Sequence, residues 1–134
     1  MTLSMTKHVH IDRPAADTFA FVGDPSTMPR WAVHNVSAIR PLGDGRWEMD
    51  TPRGRGLLVP RYDTSTGILD HDFIDANEGH WRVPARVVPA GASASIYIIT
   101  LTKPEGMPTE AFEEGMKLMD DELAALKACV EGRA

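Results

Sequence analysis

Near the end of the chain, Phe112, Met116, Met119, Leu123, Leu126 and Val130 recur at alternating spacings of four and three. That is the period of one apolar stripe along an α-helix, here about five turns long. The helix is predicted over residues 107–130, with Thr109 as N-cap and Gly132 as the stop. Phe112 stands where a capping box would carry Glu, while Glu113 and Glu114 suit the positive end of the helix dipole. Such spacing also fits a coiled coil. At the end of a chain otherwise rich in strand patterns, it reads as a helix laying its stripe on its own sheet.

Residues 7–12 alternate, with Lys7, Val9 and Ile11 facing one way and His8, His10 and Asp12 the other. Pro14 suits the first turn of a helix over 15–22, whose face would be Ala16, Phe19, Ala20 and Val22. Gly23 breaks that helix. Asp24 then caps a second short one, with Pro25 at its first position and its end near Trp31. Strands follow at 36–42, 46–51, 55–62, 68–74, 80–88 and 93–102, separated by turn residues such as Gly43-Asp44-Gly45, Thr64-Ser65-Thr66-Gly67 and the segment 75–79. In 80–88, Trp81, Val83, Ala85 and Val87 oppose His80, Arg82, Pro84 and Arg86, and Pro84 marks an edge or bulge. Both faces of 93–102 carry apolar groups, so its inward face stays open. The fold class is α+β: a curved seven-stranded antiparallel sheet with two short helices, and a long C-terminal helix over an apolar cavity.

Length and composition narrow the function. Residues 1–134 fit one domain. A net charge of -5 argues against a nucleic-acid partner and against binding to anionic membrane, both of which want a basic footprint. No stretch approaches the roughly 18 apolar residues of a membrane span, so no stable membrane insertion is expected. Cys129 is the only cysteine, which excludes an intramolecular disulfide and a cysteine-based zinc site. With no secretory signal pattern at the start, the expected location is cytoplasmic. No cofactor or metal is expected, and monomer and dimer are both open.

Several stretches resemble the START-like superfamily, also called helix-grip, Bet v 1-like or SRPBCC, and within it the bacterial polyketide cyclase/dehydrase and lipid-transport-like branch. They are Arg13-Pro14-Ala15-Ala16-Asp17-Thr18-Phe19, Asp24-Pro25 with Met28-Pro29-Arg30-Trp31, and Gly67-Ile68-Leu69-Asp70-His71. Arg86-Val87-Val88-Pro89-Ala90-Gly91, Glu105-Gly106-Met107-Pro108 and Leu123-Ala124-Ala125-Leu126-Lys127 are similar too. The resemblance spans essentially the whole chain and implies a helix-grip fold with a cavity. It supplies no catalytic signature to carry over, because members range from aromatase/cyclases to lipid carriers and hormone receptors.

Candidate site residues follow from facing. Leu69, His71 and Phe73 share one strand face, so His71 could meet a ligand carbonyl or phenol, or serve as an acid or base. It is the weak catalytic candidate, set against a core histidine bonded to a neighbour. Asp70 points the other way and forms no dyad with it. Trp31, Trp47 and Trp81, with Val83 beside Trp81, could line a pocket or simply pack. The same double reading holds for Met49, Met116 and Met119, for Phe112 and Leu123, and for Tyr97 and Tyr62, whose hydroxyls could serve a polar group. His8 and His10 read as a solvated face, and Arg53-Gly54-Arg55-Gly56 as a turn. Arg82 and Arg86 face solvent or pair with Glu48 or Asp50, and Cys129 reads as a buried thiol.

Three functions remain open from these residues. The first is a module binding a small hydrophobic or aromatic ligand between sheet and helix. An aromatase/cyclase-type enzyme acting on a polyketide-like substrate is the second. A partner-binding domain whose core is filled by its own side chains is the third.

Overall fold

The computed structural model describes residues 3–75 and 79–132. Its strands are β1 (Ser4–Ile11), β2 (Ala38–Pro41), β3 (Trp47–Thr51), β4 (Gly54–Asp63), β5 (Ile68–Asp75), β6 (Gly79–Val83), β7 (Ala85–Pro89) and β8 (Ser95–Thr102). The helices are α1 (Ala15–Val22), α2 (Met28–Trp31) preceded by a 3-10 turn at Pro25–Thr27, and α3 (Thr109–Val130). All pairings are antiparallel, in the order β1-β8-β7-β5-β4-β3-β2, with β6 branching from β5. This is the helix-grip arrangement, an α+β fold with the long helix laid along one face of the sheet. The turn expected at 75–79 includes residues outside the described ones.

Pro84 makes eight strands out of seven. Lacking an N–H, it cannot continue the ladder, and the predicted strand 80–88 splits into β6 and β7 around it. β6 stays on β5, while β7 crosses to β8 and keeps a single bridge to β5 at Ile68 and Arg86. Asp70 Oδ1 accepts from Ala85 N at 3.0 Å just past the break, which gives that outward carboxylate a structural role. Beside it, Gly67 has φ +75, and a Cβ there would collide with the Val87 carbonyl oxygen. Only glycine lets these two strands approach this closely.

The inward face of β8 is now defined. Ser95, Tyr97, Ile99 and Leu101 are buried, and Ile96 and Ile98 look outward. Ser95 fixes that choice: its hydroxyl bonds the buried Thr18 hydroxyl at 2.8 Å and donates to Arg13 O at 3.0 Å. Accordingly α1 buries Thr18 and Val22 and packs Phe19 on the core, while Ala16 and Ala20, read from the sequence as part of that face, are exposed. A polar Thr is tolerated inside because it is satisfied.

The ends of the other helices follow local chemistry. Asp24 caps the 3-10 turn as expected, accepting from Ser26 N at 3.0 Å. At α3 the N-cap is Pro108, not Thr109. Pro108 is extended, its carbonyl accepts from Phe112 N at 3.1 Å, and no side chain caps the turn. At the other end Gly132 follows the C-cap with φ +75. Glu131, 7% exposed, accepts from Asp12 N at 2.7 Å and from Lys127 at 2.8 Å, tying the helix end to β1. On the outer face Arg40, rather than Arg82 or Arg86, takes Glu48 and Asp50, because β2 pairs directly with β3.

Candidate functional site

The core is solid at one end of α3 and hollow at the other. A cavity of about 370 Å³ lies between the first half of the helix and the middle of the sheet. Phe112, Gly115, Met116, Met119 and Glu122 form its roof. Its floor comes from β4, β5 and β6, through Leu58, Tyr62, Leu69, His71, Phe73, Trp81 and Val83. Tyr97 and Ile99 of β8 add to the wall, with Trp31 and Val36 from the α2 side.

Sequence reasoning placed three residues here that the structure puts elsewhere. Met49 is fully buried on β3 opposite Gly56, where it fills the space left by the absent side chain. Trp47 pairs with Leu58 from the strand beyond it, so Leu58 forms the wall and Trp47 packs behind. Leu123 is buried, but it turns with Leu126 into the closed part of the core. The stripe therefore divides: its first half roofs a cavity and its second half packs.

The cavity is mostly apolar, with few polar atoms. Trp81 stacks on Phe112, with ring centroids 6.2 Å apart. His71 Nδ1 donates to Leu69 O at 2.9 Å, which fixes the tautomer and leaves Nε2 as an acceptor when the ring is neutral. Burial pushes the His71 pKa below its ordinary value, so the ring is neutral at pH 7. Tyr62 meets His71 edge-on at 6.5 Å, and burial pushes its phenol up to about 12. Tyr97 is raised further by burial, with Tyr62 and Glu122 adding to the effect. Trp31 lies edge-on to Tyr97 at 6.3 Å, and its buried Nε1 has no hydrogen-bond partner among the described residues.

One end of the cavity carries a polar group that sequence reasoning missed. Glu122 is 2% exposed, accepting from His34 N at 3.0 Å and from Asn35 Nδ2 at 3.1 and 3.2 Å. Burial raises its pKa, and these bonds partly oppose the rise. Asn35 Oδ1 in turn accepts from Arg53, whose Nε donates to Asp75 at 2.9 Å. A helical projection held the signal, since position 122 lies three past Met119 and seven past Gly115. Arg53 gave no such signal, because the turn that contains it reads as punctuation. Outside the cavity, His8 and His10 are exposed, and Cys129 is half-buried with Sγ 3.6 Å from Arg30 O. Among the described residues no group of His, Cys, Asp and Glu could hold a metal ion, and no helix is long and apolar enough to cross a membrane.

No family sequence model and no curated protein sequence matches the chain. Solved structures do match its fold. The two-domain aromatase/cyclase BexL superposes with a TM-score of 0.79 at 15% identity, over 96% of this chain and 46% of that one. The Zhui aromatase/cyclase from a Streptomyces species gives 0.74 at 11% identity, covering 99% and 96%. A START superfamily protein from Mycobacterium smegmatis gives 0.75 at 16%, covering 98% and 99%. The chain has the START/Bet v 1-like fold.

Proposed function

We propose that the protein binds a small hydrophobic or aromatic molecule in the cavity between β4–β6 and the first half of α3. The observation that carries this reading is the hollow itself, walled by Trp31, Trp81, Phe112, Met116 and Met119 with a few polar groups at fixed places. Its volume of about 370 Å³ falls in the range of small-molecule sites, about 300–1,000 Å³, near the lower end. The fold's presence in aromatase/cyclases and a START protein supports the same direction. A core filled by its own side chains would lack such a space, which counts against a purely partner-binding domain. Native mass spectrometry of the purified protein tests the proposal. A bound mass that is released on denaturation, or one taken up from added aromatic compounds, is expected; neither appearing would remove the reading.

One observation favours an aromatase/cyclase-type reaction as a second reading. His71 and Tyr62 present an acceptor nitrogen and a phenol on the same wall, a pairing suited to enolisation or dehydration of a polyketide-like substrate. Under this reading His71→Ala abolishes turnover of any substrate found. Unchanged turnover would leave binding alone.

A further inference from the structure

Glu122 is a carboxyl group inside the cavity wall that is paired with no lysine or arginine among the described residues. Its partners are the neutral donors His34 N, Asn35 Nδ2 and the Asn35 backbone N–H, with Asn35 Nδ2 reaching Oε1 at 3.1 Å. A carboxylate has about four acceptor sites, so this one retains capacity. Burying such a group without a counterpart is costly, and a guest that brings a donor relieves the cost.

The surrounding charges point the same way. Arg53 is the only Arg or Lys in the wall among the described residues, and it already donates to Asp75 at 2.9 Å and to Asn35 at 3.2 Å. Glu114, exposed at the rim of the same cavity, pairs with Lys117 at 3.8 Å. His71, in the same lining, offers Nε2 as another acceptor. The cavity thus offers acceptors at Glu122 and His71 beside the Trp31 Nε1 donor and the Tyr62 and Tyr97 hydroxyls, and the acceptor at Glu122 is the one set beside no lysine or arginine partner among the described residues.

We propose, resting on the ligand-binding reading above, that Glu122 is the polar anchor of the cavity and that its ligand is an apolar body bearing a hydroxyl or amine. A carboxylate on the same body is rejected. Hydroxyl and amine share the chemistry that matters, a hydrogen donated to a buried carboxyl oxygen.

Calorimetric titration with 2-naphthol, 2-(aminomethyl)naphthalene and 2-naphthoic acid tests this, because the three differ only in the head group. The expected result is that the naphthol or the amine binds at least about tenfold more tightly than the acid, as a charge-assisted hydrogen bond would give. Tighter binding of the naphthol alone identifies a hydroxyl ligand, and of the amine alone an amine. In Glu122→Gln that gap is expected to close to within about threefold, with the naphthalene body still bound. Glu122 also holds residues 34 and 35, so the diagnostic quantity is the ratio between heads, which a merely structural role would not move. Equal or tighter binding of the acid by the wild-type protein overturns the anchor and leaves the cavity reading standing. A gap that survives in Glu122→Gln overturns it too. Binding of none of the three overturns both, and the wild-type series decides even if the variant fails to fold.

Discussion

Trp81 of β6 and Phe112 of α3 lie nearly parallel, 18° apart with centroids separated by 6.2 Å. This pair joins the first turns of the helix to the branch strand created by Pro84. Phe112 is 1% exposed, so the helix commits its largest side chain to holding the roof over the cavity.

Phe112→Ala removes both the stack and the buried ring. Large-to-small changes of this kind cost about 3 kcal/mol or more, and the adjoining hollow gives the site little means to collapse around the loss. Urea unfolding should show that cost as a lower midpoint with the slope retained. A loss under about 1 kcal/mol would mean the roof is held elsewhere.

Gly67→Ala should destabilise the protein by about 2 kcal/mol or more, although it adds one methyl group in a turn. The positive φ and the approach to the Val87 carbonyl both oppose a Cβ. The bond from Val87 N to Gly67 O, 2.9 Å, should weaken with it. A thermal midpoint equal to wild type would contradict the close β5–β7 approach.

His71 predicts an acid-side sensitivity. Its folded pKa lies below the ordinary value because burial disfavours the charged ring. As pH falls through about 6.5 the unfolded chain takes the proton first, so stability present above that pH is lost toward the lower folded value. In His71→Phe this contribution is absent. Urea midpoints should therefore fall more steeply for wild type than for the variant between about pH 7 and pH 5. Parallel slopes would place His71 in a solvated setting.

The long helix and the strand faces were legible because period alone dictates them. Trp81, Val83, Ala85 and Val87 point inward as their alternation requires, and the stripe on α3 meets the sheet. What escaped was decided by neighbours in space. Met49 and Trp47 have the right facing, yet whether a residue lines a hollow or fills one depends on Gly56 and Leu58 across the ladder. Glu122 falls on the inward side by helical spacing, yet its charge argues for the surface, and only residues 34 and 35, far away in the chain, supply the donors that let it be buried. On β8 the polar Ser95 set the facing, through Thr18, where the apolar residues on both sides could not.

Gly115 allows the most direct test of the central claim, a ligand-holding hollow beneath the first half of α3. It lines the cavity from a helix interior, and a Cβ there would meet no atom within 4 Å. Gly115→Phe should place a ring in the empty space and also remove a helix-interior glycine, a gain of about 0.5 kcal/mol. Calorimetric titration of wild type and variant with 2-naphthol, beside their thermal midpoints, is the decisive measurement. The predicted result is a variant as stable as wild type or more so, with binding weakened by more than about tenfold. A folded variant that binds 2-naphthol as wild type does would show that the ligand does not occupy this cavity.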